Sequence, residues 1–212
     1  GNSHGCSWGD YNNDGFLDLF VSNSVNENDY LYENNADGTF TKITTGPVVS
    51  SGGTSTGSSW ADYDNDGDID LFVANTSVQS TTQSNFLFQN NGDGTFTKII
   101  TGAIATETNT NSRGAAWGDY DNDGNLDLYV SNETNTNNFL YRNDGNSNNW
   151  INIKCIGIVS NKSAIGAKVK AKAVISGNPV WQMQEISSQT GYLSQNSLNV
   201  EFGLGDATVI DS

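Results

Sequence analysis

The feature that most limits what this chain can fold into is a sixteen-residue block that occurs three times. It reads WGDYNNDGFLDLFVSN from Trp8, WADYDNDGDIDLFVAN from Trp60 and WGDYDNDGNLDLYVSN from Trp117, at spacings of 52 and 57 residues. A second block follows each copy: NDYLYENNADGTFTKI from Asn28, SNFLFQNNGDGTFTKI from Ser84, and the shorter NNFLYRNDGNSNNW from Asn137. A unit of this size cannot bury a hydrophobic face alone, so the copies must stack on one another.

Each copy predicts the same strands. LDLFV, IDLFV and LDLYV, and then YLYEN, FLFQN and FLYRN, are short runs of β-branched and aromatic residues. Asp37-Gly38 and Asp93-Gly94 lie between alternating segments and predict hairpins with type I′ turns, which need residues that accept positive φ. About four antiparallel strands per repeat of roughly 50 residues is the pattern of a propeller blade. The expected fold is all-β: three four-stranded propeller-type blades over residues 1–149 (about 1–50, 51–107 and 108–149), then a small antiparallel β-sandwich-like domain over 150–212. Trp8, Trp60 and Trp117 hold one position in each repeat and are assigned to packing between blades rather than to ligand stacking.

Within each block, oxygen-bearing side chains fall on alternate positions. They are Asp10, Asn12, Asp14 and Asp18 around Gly15; Asp62, Asp64, Asp66 and Asp70 around Gly67, with Asp68 besides; and Asp119, Asp121, Asp123 and Asp127 around Gly124. These three nine-residue loops hold 12 of the chain's 24 acidic residues. Carboxylates so close repel by on the order of 1 kcal/mol or more per pair at an intermediate dielectric, and a cation is the natural compensation. Side chains at positions 1, 3 and 5 can aim at one point, glycine at 6 permits the sharp turn, and a carbonyl at 7 with a carboxylate at 9 completes an oxygen shell of the kind calcium takes. An EF-hand would need a bidentate Glu at position 12, where this chain has Val21, Val73 and Val130. Magnesium keeps more of its waters and fits an all-protein cage less well. An Asp- and Asn-rich turn without metal would not need the same spacing three times. About three calcium ions are expected. By carboxylate count the loops rank second, third, first.

The repeats resemble the FG-GAP/VCBS family of calcium-binding propeller blades, also found in integrin α-subunit heads. The resemblance implies side-chain ligands at positions 1, 3, 5 and 9, and carbonyl ligands from Phe16, Asp68 and Asn125. Asn12 departs from the usual Asp and removes one charge from the first site. After Trp150, the segments NWINIKC, IGAKVKAKA, GYLSQN and FGLGDA resemble the ASPIC/UnbV domain that often follows such repeats. Independently, Ile165, Ala167, Val169, Ala171 and Ala173 alternate with Gly166, Lys168, Lys170 and Lys172, the pattern of a half-buried strand. Its lysine row is expected to be a solvated face that discourages edge pairing, or else a contact with an acidic blade of a neighbouring copy.

Charge narrows the partners. Residues 1–149 hold 20 of the 24 acidic residues against Lys42, Lys98, Arg113 and Arg142. A polyanionic surface of this kind excludes nucleic-acid and anionic-membrane binding, and no segment has the ~20 apolar residues of a membrane span. Cys6 and Cys155 have no metal or redox spacing and are expected to be free, buried small residues rather than a disulfide. No initiator Met or signal peptide is present, so a mature or partial chain is expected, with its open edges covered by further blades or neighbouring copies. His4 is the sole histidine and has no counterpart in the other repeats; no nucleophile–base constellation emerges. The expectation is therefore a non-enzymatic, calcium-stabilised module, secreted or at the cell surface, that binds protein or glycan partners. The alternatives are a structural subunit assembling with copies of itself, and the non-catalytic part of a larger secreted enzyme.

Overall fold

The computed structural model describes residues 1–77, 83–108, 110–134, 136–159 and 161–211; Ser212, the last residue of the expected second domain, lies outside the described residues. Strands β1 (Ser3–Gly9), β2 (Asp18–Asn23), β3 (Tyr30–Asn34) and β4 (Phe40–Ile43) form a first antiparallel sheet in that order. A second repeats the pattern with β5 (Ser55–Ala61), β6 (Asp70–Asn75), β7 (Phe86–Asn90) and β8 (Phe96–Lys98). The third contains only β9 (Ser112–Gly118), β10 (Asp127–Asn132) and β11 (Phe139–Tyr141). This corrects the expectation of four strands per repeat: no counterpart of GTFTKI follows FLYRN, and the chain leaves the sheet instead.

The middle sheet shows why the repeats stack. Every residue of β6 is buried, because alternate side chains face opposite neighbours. Leu71 and Val73 pack with Phe20, Leu31, Trp60 and Phe88 against the first sheet, while Phe72 and Ala74 pack with Leu87, Trp117, Leu128 and Val130 against the third. One period-2 strand thus serves two cores. Backbones approach closely at the inner strands: a Cβ on Gly57 would collide with the carbonyl oxygen of Arg113, and one on Gly5 would lie 2.6 Å from that of Thr56.

The same contacts recur at both sheet-to-sheet seams. The ring of Tyr11 stacks on Trp60 at 6.4 Å and 16°, and that of Tyr63 on Trp117 at 6.4 Å and 17°. Asn90 Nδ2 donates to the carbonyl of Tyr11 at 2.7 Å, and Asn143 Nδ2 to that of Tyr63 at 2.6 Å. Trp60 and Trp117 are accordingly buried, whereas Trp8, with no tyrosine stacked on its outer side, is 52% exposed. At the other end Tyr120 is 54% exposed. Packing explains two of the three tryptophans, not the first.

Two turn expectations are corrected. The β3–β4 hairpin is closed by the five residues 35–39, with Asn35 N donating to Thr39 O, and positive φ falls on Ala36 and Gly38 rather than on Asp37. Asp37 instead accepts from the Thr39 backbone N–H, which stabilises a wider loop. Asp93 does the same for Thr95. Cys6 and Cys155 are both free, but Cys6 is exposed and Cys155 half-buried, so the expected burial fails at Cys6, whose side of the sheet borders an open cavity rather than a packed core.

Strand β12 (Asn149–Ile153) opens a second unit. It is followed by β13 (Lys168–Ile175), β14 (Asn178–Glu185) and β15 (Val200–Gly205). Two two-stranded antiparallel sheets, β12–β15 and β13–β14, close over small cores centred on Phe202 and on Leu204. Ala171 and Ala173 are buried as the alternation predicts, but the strand starts at Lys168 and Ile165 is 41% exposed. Residues 190–196 of this unit reach the inner strands of the repeats. Asn196 Oδ1 accepts from Ser59 Oγ at 2.9 Å and from the Trp117 N–H at 3.1 Å, and its Nδ2 donates to the carbonyl of Trp60 at 3.1 Å.

Candidate metal centres

Each acidic loop joins the first two strands of its sheet, and local chemistry shapes it before any ion is considered. The side chain at position 1 accepts backbone N–H groups from positions 5 and 6: Asp10 from Asp14 and Gly15, Asp62 from Asp66 and Gly67, Asp119 from Asp123 and Gly124, all between 2.9 and 3.1 Å. Position 4 is Asn13, Asn65 or Asn122, with φ of 57°, 58° and 61°, and the glycine at position 6 has φ of 87° to 101°. Asn tolerates the left-handed region better than other side-chain-bearing residues, and glycine has no Cβ to obstruct it. The aspartate at position 9 reaches back and across. Asp18, Asp70 and Asp127 each accept the position-2 N–H and, at 2.8 Å, the N–H of Asn34, Asn90 or Asn143 at the end of the third strand or just beyond it.

The second and third loops converge. Ligand oxygens of Asp62, Asp64 and Asp70 lie within 4.8 Å of one another, as do those of Asp119, Asp121 and Asp127. Positions 1, 3 and 9 are thus brought together, whereas position 5, expected to aim at the same point, is not part of either group. Asp10, Asp14 and Asp18 form no such group among the described residues. Position 5 is turned into its own loop: Asp14, Asp66 and Asp123 each accept the N–H of position 7, that is of Phe16, Asp68 and Asn125, at 2.8 to 3.0 Å. Asp68 accepts from Asn13 Nδ2 of the preceding loop at 2.8 Å, and Asn125 Oδ1 from Asn65 Nδ2 at 3.3 Å. The Asn at position 4 therefore strings the loops together, a role its recurrence in three copies could have signalled. Asn12 accepts from the Asp14 N–H and donates to Glu33 Oε1 at 3.4 Å.

Electrostatics marks the second loop. Asp62 is 1% and Asp70 0% exposed, and among the described residues no ion pair reaches any acid of this loop. Burial, then the neighbouring carboxylates, push both groups well above the usual carboxylate range. Asp66 is pushed to about 7 by burial and Asp64. In the first loop, Asp10 is raised to about 6 and Asp18 to about 7, burial again being the main cause. Asp127 is raised by burial, and Asp123 is lowered by the backbone N–H of Asn125.

One atom tests whether a cation fits. Asp64 Oδ1 is buried and has no hydrogen-bond partner, although Asp64 Oδ2 takes Gln89 Nε2 at 2.6 Å. An unpaired buried carboxylate oxygen beside two other buried carboxylates costs several kcal/mol unless a positive charge meets it. The donors are all hard oxygens, which suit calcium, magnesium or manganese and not the softer transition metals. The residues present fit a divalent cation.

The lysine row needs a correction. Lys170 does not face only solvent: its Nζ lies 3.4 Å from the position a Cβ on Gly15 would take, beside the first acidic loop of its own chain. Lys168 lies 3.9 Å from Glu185, and Lys172 sits over the ring of Trp181. Between the repeats and the second unit lies a cavity of about 510 Å³, whose lining includes Trp8, Cys6, Gln184, Asn196 and Glu201. Burial, then Asp119, raises Glu201 to about 7.

Stacked antiparallel sheets joined through oxygen-rich loops, followed by a separate small β unit, define a repeat protein with candidate cation sites. The FG-GAP-like repeat family matches residues 10–73 and 62–130, together more than half of the chain. The chain belongs to that family, and after the repeats it carries a match to ASPIC and UnbV over 157–212. No curated protein matches it. Among the described residues no helix is long and apolar enough to cross a membrane.

Proposed function

We propose that this chain is a calcium-stabilised, non-enzymatic binding or adhesion module that works outside the cell, its three sheets serving as blades of a propeller. The observation that carries the reading is Asp64 Oδ1, buried and unpaired among Asp62 and Asp70 in a loop with no internal cation. One ion would be held by Asp62, Asp64, Asp66 and Asp70 with the Asp68 carbonyl. A second would be held by Asp119, Asp121, Asp123 and Asp127 with the Asn125 carbonyl, and a third by Asp10, Asn12, Asp14 and Asp18 with the Phe16 carbonyl. The ion supplies positive charge to carboxylates that otherwise repel, and so stiffens the turn between two strands. Extracellular calcium modules work at roughly 10⁻⁴ to 10⁻³ M, a concentration found outside cells. The cavity beside Trp8 offers aromatic and amide groups suited to a glycan or a protein side chain. Purified chain equilibrated with calcium should retain about three ions by atomic emission, and retention of none would sink the reading.

A second reading, a structural subunit that assembles with its own copies, rests on the two end faces. The seam inside the chain pairs a tyrosine with a tryptophan, and the exposed Tyr120 and Trp8 are the unmatched halves of that pair at opposite ends. Such a head-to-tail contact is heterologous and gives rings or filaments. Light scattering over a concentration series separates the two: mass growth that Trp8→Ala abolishes favours assembly.

A further inference from the structure

The three candidate ion sites share a fourth side that the loop pattern does not contain. The residue before the Asn that ends each YLYEN-type run is Glu33, Gln89 or Arg142. The strand registers are the same in the three sheets, Leu19 opposite Tyr32, Leu71 opposite Phe88 and Leu128 opposite Tyr141, so these side chains occupy equivalent places. Each touches the position-3 side chain of its loop. Glu33 Oε1 lies 3.4 Å from Asn12 Nδ2, Gln89 Nε2 donates to Asp64 Oδ2 at 2.6 Å, and Arg142 Nε lies 3.1 Å from Asp121 Oδ2.

We propose that this strand residue grades the three sites, so that ions fill the second loop first, the first loop next and the third loop last. The proposal rests on the calcium reading above and deepens it. Glu33 places a carboxylate where the first loop has lost one to Asn12, and so restores the missing charge beside position 3. Arg142 does the opposite. Its guanidinium also lies 3.7 Å from Asp123 Oδ2, and so it holds two of the acids that an ion would need. Asp144, 89% exposed and 3.6 Å away, shares the arginine without removing it from the loop. An incoming ion must displace Arg142 or bind against its charge. The second loop has neither handicap: Gln89 is neutral, and no basic group pairs with its five aspartates among the described residues. Lys170 stands near the first loop but comes within 4.0 Å of no carboxylate there, so its effect is weaker than that of an arginine in contact. This order inverts the one obtained by counting loop carboxylates alone, which puts the third loop above the first.

The test is a calorimetric titration of the whole chain with calcium chloride at low ionic strength, for the native sequence and for Arg142→Gln, Arg142→Lys and Glu33→Gln. A unit charge about 6 Å from a divalent ion, screened at a water-like dielectric, changes affinity by about tenfold. Arg142→Gln should tighten the weakest site by about that factor and leave the tightest alone, and Glu33→Gln should weaken the intermediate one comparably. Arg142→Lys, which keeps the charge, should stay within about twofold of the native chain. Circular dichroism of each variant verifies the fold. A weakest site unmoved by Arg142→Gln, or moved equally by Arg142→Lys, overturns the grading while the calcium reading stands; no calcium bound by the native chain overturns both.

Discussion

Removing calcium near neutral pH should destabilise this chain, and acidifying the metal-free protein should restore part of the loss. The magnitude follows from the carboxylates. Asp10 is raised to about 6 and Asp18 to about 7, each mainly by burial, against about 3.9 in the unfolded chain. A folded-state pKa above the unfolded value means that the folded protein binds more protons between about pH 4 and 7, so metal-free stability falls as pH rises through that window. Every tenfold difference in proton affinity between the folded and unfolded chain is worth at most about 1.4 kcal/mol. Halving for solvent screening, Asp10 and Asp18 together leave on the order of 3 to 4 kcal/mol. Calcium should supply a gain of similar size. At ten times its dissociation constant each site gains about 1.4 kcal/mol by mass action, or about 4 kcal/mol for three. For a chain of this length that is roughly 8 to 16 °C in Tm. Thermal melts followed by circular dichroism, with calcium and with chelator at about pH 7.5 and metal-free at about pH 5, test both halves. Identical melts with calcium and chelator, or a metal-free form that is more stable at the higher pH, would refute the reasoning.

Three further perturbations separate packing from charge. Asp29 is 2% exposed and raised to about 7 by burial, whereas Asn85 and Asn138 accept the equivalent N–H groups of Asn75 and Asn132 as neutral amides. Asp29→Asn should therefore stabilise the chain by about 2 kcal/mol at pH ~8 and by little at pH ~4, read by urea unfolding; destabilisation at the higher pH would contradict the burial argument. Asn90→Ala removes donors to the carbonyls of Tyr11 and Ile69 at a buried seam and should cost about 1 to 3 kcal/mol. Asn34→Ala, whose Nδ2 donates only to the Leu17 carbonyl within its own sheet and whose Oδ1 accepts the exposed Ala36 N–H, should cost less in the same assay. Trp60→Ala should cost about 3 to 5 kcal/mol and Trp8→Ala under about 1, because the second ring is exposed where the first is packed between Tyr11, Phe20 and Phe96.

The fold was legible where a residue's role repeats. Three copies of the same strands and the same glycine announced stacked antiparallel sheets, and positions 1, 3 and 9 of two loops converge, while position 5, which the spacing aimed at the same point, turns to the N–H of position 7. Legibility failed where the partner lies outside the repeat. Trp8 and Trp60 are the same letter in the same place, and their burial differs only because Tyr11 precedes one of them and nothing stacks before the other. Asp37-Gly38 has the composition of a tight turn, but the hydrogen bond from the Thr39 N–H to Asp37 selects a wider loop that composition does not distinguish. Lys170 looked like one tooth of a solvent-facing row. What it meets, Gly15, lies far away in the chain, and only the folded contact reveals it.

That distant contact is one of three. The second unit touches every acidic loop: Lys170 beside Gly15, the Gly203 N–H donating to Asp62 Oδ2 at 3.1 Å, and the ring of Trp150 occupying the space a Cβ on Gly124 would need. Glycine at position 6 therefore has two jobs. It allows the positive φ that turns the loop, and in the second and third loops its missing Cβ leaves the room that Ile175 and Trp150 of the second unit occupy. Asp62 accepts N–H groups from Asp66 and Gly67 of its own loop and from Gly203 of the other unit, so the side chain that orders the loop also anchors the neighbour. Any charge placed on the loop acts on that anchor too. The aspartates that opened the question of a cation are, in the folded chain, the floor on which its second unit stands.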